Sequence, residues 1–461
     1  MVDLAAIVLA AGQGTRMRSR VPKVLHPLAG RPMIDHVLAA LAEAGMARPV
    51  VVTGHEADSV EAAVHGRADT IRQVPQRGTA DAVRVALACV PETATRVVVT
   101  VGDATLQPAD LFTSLVDLMT DGAAMALVSA TLEDPTGYGR IVRGTGGAAE
   151  GIVEERDLRD GQGTITETNA GIYCFDAPWL RERIGDVSPS ASGELYLTDL
   201  VAAAVADGRT VAVCAAPDPS LTMGINDRLQ LAEAEAIMRA RISERHMLAG
   251  VTIVDPATTF IHASVEIAAD ARIEPWTVLR GATVISEGAV IGPATDVSDS
   301  RIGPRSTVIR SVVEESVVAE DVQIGPFAHL RPGSEIGARC RIGNYAEVKK
   351  SRIGADTQQH HFSYIGDAEL GEGVNVGAGT VTANYDGVNK NRTVVGDGAF
   401  LGVDTMLRAP VTVGKGARTG AGSVVTRDVP DGKTVVGMPA RPIELRRRAS
   451  APMEEPADPD A

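Results

Sequence analysis

Residues 322–343 read VQIGPFAHLRPGSEIGARCRIG. Within this stretch an aliphatic residue followed by glycine recurs at Ile324, Ile336 and Ile342, at multiples of about six positions. The pairing extends along the chain at Ile291-Gly292, Ile302-Gly303, Ile353-Gly354, Ile365-Gly366, Leu370-Gly371, Val376-Gly377, Leu401-Gly402 and Val413-Gly414. A hexapeptide period gives one short strand and one turn per unit, with the aliphatic side chain pointing inward and three units closing a triangular coil. The residues from about 250 onward are therefore predicted to form a parallel β-helix.

The composition favours the same fold. Aromatic residues make up 3% of the chain, beside 47 glycines. Because ordinary cores use large aromatic side chains for buried area, a core with so few of them must be filled by aliphatic side chains. A helical reading is disfavoured, since glycine costs about 1 kcal/mol per position in a helix. A flexible glycine-rich linker is disfavoured too, because a linker would not keep aliphatic residues in register.

The first half of the chain has a different pattern, in which strand-like and helix-like segments alternate. The strand-like runs are Leu4–Ala10, Pro49–Thr53, Val97–Val101, Ala124–Ser129, Ala170–Phe175 and Thr210–Cys214, and the clearest helical stretches are Met33–Ala44 and Ala80–Ala88. This alternation predicts an α/β domain with a mainly parallel sheet, whose active site lies at the carboxyl ends of the strands. We assign this domain to residues 1–226, a connecting helix to 227–249, the β-helix to 250–448 and a disordered tail to 449–461.

Charge and cysteine content limit the classes of function. The net charge of −15 argues against nucleic-acid binding and against binding to an anionic membrane surface, so any anionic ligand requires a local site. Four cysteines (Cys89, Cys174, Cys214 and Cys340) have no metal-site or disulfide-framework spacing. No uncharged apolar run reaches the roughly 18 residues that a membrane span needs. We therefore expect a cytoplasmic protein without membrane insertion.

A glycine-rich turn follows the first predicted strand. The sequence there is Leu9-Ala10-Ala11-Gly12-Gln13-Gly14-Thr15-Arg16-Met17. Such a turn presents backbone N–H groups to phosphate. A dinucleotide-binding fingerprint would have glycine in place of Met17, and a P-loop would have Gly-Lys-Ser/Thr, so neither motif is present. Arg16 and Lys23 place two cations in the same loop region.

These residues resemble the sugar-nucleotide pyrophosphorylases, whose signature is LxxGxGTRM followed by PKxL. The later segments that carry the resemblance are Gly102-Asp103, Gly137-Tyr138-Gly139-Arg140-Ile141, Ile152-Val153-Glu154, Thr168-Asn169-Ala170-Gly171 and Gly224-Ile225-Asn226. With the hexapeptide half included, residues 4–445 resemble the bacterial bifunctional family of N-acetylglucosamine-1-phosphate uridyltransferases and glucosamine-1-phosphate acetyltransferases. The resemblance implies a Rossmann-like nucleotidyltransferase domain, a left-handed β-helix, a homotrimer and a product that supplies cell-envelope synthesis.

The resemblance also implies roles for residues of the first half. A sugar 1-phosphate oxygen would attack the α-phosphorus of UTP, with Arg16 and Lys23 as catalytic cations and Mg²⁺ on Asp103 and Asn226. The other implied nucleotide- and sugar-binding residues are Leu9, Ala10, Ala11, Gly12, Val101 and Gly102, with Gln73, Gln76, Gly78 and Thr79 facing uracil and Gly139, Glu154 and Asn169 facing the sugar. From the residues alone, Asp103 is also compatible with a strand-end cap, and Glu154 with a solvated charge cluster.

The second half is expected to transfer an acetyl group from acetyl-CoA to glucosamine 1-phosphate. The amine must lose a proton before it attacks the thioester, and histidine, with an unperturbed pKa of about 6.5, suits that task. The resemblance implies His361 as the base, with His360 as a competing candidate; if both lay on a strand, only one would face the substrate. It places Arg331 and Lys349 on the sugar phosphate, Tyr364 and Asn375 on the sugar, and Ala378, Asn384, Tyr385, Val403 and Ala421 on acetyl-CoA.

The sequence departs from the family pattern at several of these positions. Ala80 and Asp81 replace Gly-His beside the uracil positions, and Ala104 and Thr105 replace Val-Pro after Asp103. In the second half, His360 replaces a glycine, Val403 a serine and Met438 an arginine. These changes leave open a nucleotidyltransferase whose β-helix is only a trimerisation scaffold. A non-catalytic regulatory subunit is disfavoured because Arg16, Lys23, Asp103 and Asn226 are all present.

Overall fold

The computed structural model describes residues 3–191 and 193–443. The predicted disordered tail, 449–461, lies outside the described residues. The chain divides into two compact units, Met1–Met238 and Arg239–Ala461. The predicted connecting helix is present as a single helix, Arg228–Leu248.

The first unit is built on one nine-stranded sheet. Its strands are β1 (Leu4–Leu9), β4 (Val50–Thr53), β5 (Asp69–Arg72), β6 (Arg96–Val101), β7 (Ala123–Thr131), β8 (Arg140–Arg143), β9 (Ala149–Val153), β10 (Glu167–Asp176) and β11 (Thr210–Ala215), and a separate hairpin pairs β2 (Pro27–Leu28) with β3 (Arg31–Pro32). The helices of this unit are α1 (Met33–Glu43), α2 (Ala57–Val64), α3 (Thr79–Ala86), α4 (Ala109–Asp117), α5 (Ala177–Arg183) and α6 (Asp199–Ala206), and α7 (Arg228–Leu248) contains residues of both units.

The strand directions differ in part from the sequence prediction. Along the order β11-β7-β10-β6-β1-β4-β5, the pairs β7/β11, β1/β6, β1/β4 and β4/β5 are parallel, as expected. Strand β10 runs antiparallel to both neighbours, β6 and β7. The chain reaches β10 from β7 through the antiparallel pair β8/β9, so no crossover helix intervenes and the strand enters in the opposite direction.

The parallel pair β1/β6 positions the functional loops. Leu9, at the end of β1, lies opposite Val101, at the end of β6. Because parallel strands end at the same edge of a sheet, the glycine turn that follows Leu9 and the Gly102-Asp103 pair that follows Val101 lie side by side. Apolar clusters on the two faces of the sheet, covered by the helices, hold these strand ends in place.

The second unit is a parallel β-helix with three faces. Among the described residues the first face contains Thr252–Ile253, Arg272–Ile273, Val290–Ile291, Thr307–Val308, Gln323–Ile324, Arg341–Ile342, Gln358–Gln359, Asn375–Val376, Phe400–Leu401, Arg418–Thr419, Thr434–Val436 and Arg441–Pro442. The second contains Phe260–Ile261, Val278–Arg280, Asp296–Ser298, Val312–Glu314, His329–Leu330, Ala346–Lys349, Ser363–Gly366, Val381–Ala383, Met406–Arg408 and Val424–Val425. The third contains Glu266–Ile267, Val284–Ile285, Arg301–Ile302, Val317–Val318, Glu335–Ile336, Arg352–Ile353, Ala368–Leu370, Thr393–Val395 and Val411–Val413.

The core of this unit consists of stacked aliphatic side chains, as the glycine-aliphatic pairs predict. On the first face Ile273, Ile291, Val308, Ile324 and Ile342 follow one another in register, and each is at most 2% exposed. The next side chain in this column is polar Gln359, which is fully buried. The aliphatic column is therefore interrupted directly before His360 and His361.

Candidate functional site

A cavity of about 940 Å³ opens at the carboxyl ends of β1 and β6 in the first unit. Residues that the sequence singled out form most of its lining: Leu9, Ala10, Ala11, Gly12, Arg16, Lys23, Gln73, Gln76, Gly78, Thr79, Val101, Asp103 and Glu154. They come from six separate segments of the chain. The fold thus collects the predicted nucleotide-binding residues around one space.

The glycine turn is shaped by close backbone packing. Gly14 has φ +59°, and a Cβ at this position would lie 2.7 Å from Cβ of Lys23. Glycine is therefore required where the turn passes the loop that carries the lysine. The Gln76 side chain donates a hydrogen bond to the carbonyl oxygen of Ala11 over 2.7 Å and so fixes the other end of the turn.

Lys23 joins two oxygen-bearing side chains in this cavity. Its ammonium forms a salt bridge with the Asp103 carboxylate and donates to Oδ1 of Asn226 over 3.1 Å. The Asn226 amide nitrogen donates to the carbonyl oxygen of Gly224 over 3.3 Å, so the amide oxygen is the atom turned toward the cation. Two hard oxygen ligands therefore meet at one point. That donor set fits Mg²⁺, which takes few protein oxygens and keeps several waters.

The described residues include no group of three or more His, Cys, Asp or Glu side chains that could hold a metal ion. The Asp103–Asn226 pair is smaller than such a group, because it consists of one carboxylate and one amide. Its oxygens already contact one positive charge, the Lys23 ammonium.

The end of the cavity predicted to bind uracil depends on Gly78. This residue has φ +117°, and a Cβ there would lie 2.5 Å from the carbonyl oxygen of Leu195. The amide of Ala80 donates to that same oxygen over 2.9 Å, and the Thr79 hydroxyl accepts from the amide of Leu197 over 2.9 Å. The segment 193–198 therefore packs directly against the turn.

This contact adds wall residues that sequence reasoning missed. These are Glu194 and Tyr196, which line the cavity. Elsewhere the wall includes Gly137, from a segment that the sequence singled out, and Glu155 and Arg156, which it did not assign to the site. The segment 193–198 belongs to none of the motifs recognised in the sequence. Its place in the site depends on hydrogen bonds with Arg77, Thr79 and Ala80, which no spacing rule reports.

The predicted sugar-binding residues form a connected group. The Asn169 amide N–H donates to the Gly139 carbonyl oxygen over 2.9 Å, and its side-chain amide donates to the Tyr173 hydroxyl over 2.6 Å. A Cβ on Gly139 would lie 2.9 Å from Ile152 and 3.5 Å from Oε2 of Glu154. Gly139 and Asn169 are thus linked to each other and to Glu154, which itself lines the cavity.

Glu154 is more deeply placed than a solvated charge cluster would be. The Thr198 hydroxyl donates to Oε1 of Glu154 over 3.0 Å. Burial raises the pKa of Glu154, and this hydrogen bond only partly offsets the effect. A carboxyl group with these properties is suited to accept a hydrogen bond from a ligand hydroxyl.

In the second unit, residues predicted to bind the sugar phosphate lie on the second face of the β-helix. Arg331 donates to Oε1 of Glu347 over 2.8 Å, and Glu347 lies opposite Tyr364 in the next coil. The Asn384 amide donates to Asp367 over 2.5 Å and to the Tyr364 hydroxyl over 3.4 Å. Parallel stacking therefore aligns Glu347 with Tyr364, and side-chain hydrogen bonds connect Arg331 and Asn384 to this pair.

Two lysines add positive charge to this face. Lys349 lies on the strand Ala346–Lys349, and Lys390 lies in the loop that interrupts the repeat after Ala383. The neighbouring Lys349 ammonium lowers the pKa of Lys390. A cavity of about 430 Å³ beside Lys390 is lined by the further cations Lys350, Arg352 and Arg392, which the sequence analysis did not select. Ammonium groups held this close favour an anionic ligand.

Both candidate histidines are exposed at the corner between the first and second faces. They follow the strand Gln358–Gln359 and precede Ser363–Gly366, so they lie on no strand and the expected alternation of side chains does not apply. Buried Gln359 donates to the Ser363 hydroxyl over 2.9 Å, and that hydroxyl donates to the His361 carbonyl oxygen over 2.9 Å. The His361 backbone is therefore anchored to the interior of the β-helix.

Three of the five residues predicted to bind acetyl-CoA, Ala378, Val403 and Ala421, also lie at this corner. The amide of Asp404 donates to the Ala378 carbonyl oxygen over 2.7 Å, and the amide of Gly422 donates to the Val403 carbonyl oxygen over 2.8 Å. Ala378, Val403 and Ala421 thus occupy equivalent turns of successive coils. Asn375 lies on the strand that leads into the first of these turns, and Tyr385 is exposed in the inserted loop, bridged to Lys390.

Within the described part of the chain, no helix is both long enough and apolar enough to cross a bilayer.

Family models match both halves of the chain. The model for nucleotidyl transferases matches residues 5–218, and the model for bacterial transferase hexapeptides, six repeats, matches residues 315–350. These matches agree with the observed nucleotidyltransferase-type α/β unit and with a left-handed β-helix as the second unit.

The chain is similar over nearly its whole length to proteins called "Bifunctional protein GlmU". The relative from Heliobacterium modesticaldum is 47% identical over 433 residues, 94% of this chain and 94% of its own. The relative from Geobacillus thermodenitrificans is 46% identical over 95% of this chain and 96% of its own. The relative from Mycolicibacterium vanbaalenii is 45% identical over 96% of this chain and 92% of its own.

We expect the substitution Glu154→Gln to stabilise the protein in a pH-dependent way. In the native state Glu154 holds its proton at pH values where the unfolded chain has lost it, because its pKa is raised above 4.5. Its burial therefore costs stability increasingly as the pH rises from 4.5 through the raised pKa. Differential scanning calorimetry is predicted to show a larger gain in Tm at pH 8 than at pH 5.

The matched control is Glu150→Gln, which changes an exposed carboxyl on β9, the strand that ends directly before Glu154. This control is expected to show no pH-dependent difference in Tm. Equal gains at pH 5 and pH 8 for Glu154→Gln would contradict the raised pKa.

Proposed function

The chain belongs to the family of bifunctional GlmU proteins, and on this premise we propose that it makes UDP-N-acetylglucosamine in two steps. In the first step the β-helix transfers an acetyl group from acetyl-CoA to the amine of glucosamine 1-phosphate. In the second step the α/β unit joins N-acetylglucosamine 1-phosphate to the uridylyl group of UTP and releases pyrophosphate. The observation that carries the proposal is the identity of 44–47% with relatives across both halves of the chain. A β-helix that serves only as a scaffold is not favoured.

Uridylyl transfer needs positioning and charge neutralisation more than covalent help from the protein. We assign the triphosphate to the glycine turn and Arg16, and the α-phosphate to Lys23. Asp103 and Asn226 would hold Mg²⁺, which when bound supplies further positive charge to the phosphate oxygens. The always-charged guanidinium of Arg16 and the compact ammonium of Lys23 suit different phosphate oxygens of the same nucleotide.

The remaining residues of the cavity select the two substrates. Gln73 and Gln76 are assigned to uracil, together with the backbone around Gly78. Glu154 and Asn169 are assigned to the sugar hydroxyl and acetamido groups, because they offer a carboxylate acceptor and an amide, and Glu154 lines the cavity. A Cβ at Gly78 would meet Leu195 and one at Gly139 would meet Ile152, so glycine allows close packing of the protein at both positions.

Acetyl transfer begins with an amine that is protonated at neutral pH. His361 is proposed to accept that proton, which frees the lone pair of the amine nitrogen to attack the thioester carbon. As the C–S bond breaks, the nitrogen loses a second proton, which CoA takes up as it leaves as the thiol. Arg331 and Lys349 are assigned to the sugar phosphate, and Lys390 adds charge beside them. Tyr364 and Asn375 are assigned to the sugar ring.

The acetyl-CoA residues include the chain's departures from the family pattern. Ala378, Asn384, Tyr385, Val403 and Ala421 are assigned to the coenzyme, and Val403 lacks the usual hydroxyl. The loss of one such hydrogen bond costs about 0.5–1.5 kcal/mol, which weakens coenzyme binding without abolishing it. Met438, in place of arginine, removes one further donor.

We also propose that the protein is a homotrimer assembled through the β-helix. Aromatic side chains are scarce in this chain, yet Trp276, Phe327, Tyr345 and Phe362 are 48–67% exposed in the single chain. The Phe327 and Tyr345 rings stack with centroids 5.3 Å apart. An exposed aromatic column at the corner that also carries His361 suits contact with a second copy of the chain. Because UTP and acetyl-CoA are cytoplasmic metabolites, the proposal includes a cytoplasmic location.

The two activities are expected to separate by mutation. Asp103→Ala should abolish pyrophosphate release from UTP and N-acetylglucosamine 1-phosphate but leave thiol release from acetyl-CoA and glucosamine 1-phosphate unchanged. His361→Ala should do the reverse, with a loss in kcat of about 10²–10⁴-fold. His360→Ala is the matched control for the second assay and should retain most of the activity.

Absence of thiol release by the unaltered protein would remove the acetyltransferase assignment. Losses of equal size in both assays from either single substitution would contradict two independent sites.

Trimer formation is tested by the double substitution Phe327→Ser with Tyr345→Ser. Multi-angle light scattering should show a mass near 144 kDa for the unaltered protein, three times the 48.0 kDa chain, and a lower mass for the variant. Thiol release should fall with the loss of the trimer, whereas pyrophosphate release should persist. Leu229→Ser, which changes an exposed apolar residue on α7, is expected to leave the mass unchanged. A trimeric double variant would contradict the placement of the interface.

A further inference from the structure

A buried carboxylate lies directly behind the uracil end of the cavity. Asp81, in the first turn of α3, is 4% exposed. Its two oxygens have different partners: Oδ2 accepts from Nε2 of Gln73 over 2.9 Å, and Oδ1 accepts from Nη2 of Arg84 over 2.5 Å. Asp81 therefore connects an exposed arginine to a glutamine that lines the cavity.

The partners of Asp81 keep it ionised. Burial disfavours the charged form, but the hydrogen bonds from Arg84 and Gln73 outweigh that cost and lower its pKa. An ionised carboxylate only accepts hydrogen bonds. The side chain that faces it must therefore present a donor.

This requirement fixes the orientation of the Gln73 amide. Nε2 of Gln73 donates both to Asp81 and to the Gly78 carbonyl oxygen, the latter over 3.0 Å. A side-chain amide nitrogen carries two protons, so both of its donors are used. The group that Gln73 retains for a ligand is its oxygen, Oε1, which is only an acceptor.

We propose that Asp81 is a positioning residue for nucleobase selection, which holds Gln73 so that the cavity presents a hydrogen-bond acceptor to the base. Uracil carries a proton on N3, which can be donated to Oε1 of Gln73. Cytosine has a lone pair on N3, which would repel that oxygen. The inference rests on the proposed uridylyl transfer, and it extends that proposal to a residue behind the cavity wall.

The substitution Asp81→Asn tests the orientation directly. Because Arg84 only donates, it should take the oxygen of the new amide and leave the NH₂ group facing Gln73. Gln73 would then turn its oxygen inward and its NH₂ toward the base. We expect kcat/KM for UTP to fall by about tenfold, mainly through KM, and the ratio of kcat/KM for UTP to that for CTP to fall by at least as much.

A second substitution should reverse the effect. With Arg84→Ala added to Asp81→Asn, the asparagine oxygen is free to face Gln73 again, and most of the UTP preference should return. In Asp81→Ala the Gly78 carbonyl oxygen still accepts from Gln73. The ratio of kcat/KM for UTP to that for CTP should therefore fall by less than in Asp81→Asn. Isothermal titration calorimetry with UTP and CTP reads the same preference without turnover.

The matched control is Asp207→Ala. Asp207 likewise accepts from one arginine, Arg183, and from one neutral N–H, that of Trp179, but it is not among the residues lining the cavity. This variant should lower Tm without changing the UTP/CTP ratio. A calorimetric unfolding scan of every variant checks that the first unit is folded.

Three results would overturn the proposal: an unchanged UTP/CTP ratio in folded Asp81→Asn protein, an equal change in Asp207→Ala, or a further loss of UTP preference when Arg84→Ala is added. Failure of the unaltered protein to release pyrophosphate from UTP would overturn the proposed function itself.

Discussion

The ammonium group of Lys23 holds together three parts of the first unit that are distant in sequence. It contacts Asp103, 80 residues away, and Asn226, 203 residues away. The Asp103 side chain is 13% exposed, so its charge would be costly without this partner. The ion pair therefore stabilises the convergence of the glycine turn, the end of β6 and the segment that leads into α7. The ion pair lies where uridylyl transfer needs both a positive charge and oxygen ligands for a metal ion.

A different constraint governs the second unit, in which each coil of the β-helix repeats the path of the coil before it. Each coil packs on the next so closely that glycine is needed at contact points; a Cβ on Gly343 would lie 2.0 Å from the His360 carbonyl oxygen. Since neighbouring strands are about 4.8 Å apart, residues one coil apart form columns. Glu347 and Tyr364 lie in one column for this reason, and the proposed acetyl-CoA residues Ala378, Val403 and Ala421 lie along one corner.

The sequence was most informative where it contains a regular repeat or a recognisable motif of charged residues. Aliphatic-glycine pairs predicted the β-helix, and the order of Arg16, Lys23 and Asp103 predicted a cavity that the structure contains. It could not reveal that β10 is antiparallel, because residue patterns carry no strand direction. It also missed Tyr196 and the basic residues beside Lys390. These residues reach their sites through tertiary packing, and the link from Asp81 to Gln73 depends on hydrogen bonds that no motif encodes.

We propose that Asp103 and Asn226 form one cation site, whose two side chains both contact Lys23. Electron paramagnetic resonance of Mn²⁺ binding to the nucleotide-free protein tests it most directly. Substitution Lys23→Met leaves the Asp103 charge unpaired and should tighten Mn²⁺ binding by about tenfold. Arg16→Met removes an equal charge from the same cavity but no partner of Asp103, and it should have a much smaller effect. Unchanged or weaker Mn²⁺ binding by folded Lys23→Met protein would contradict the claim.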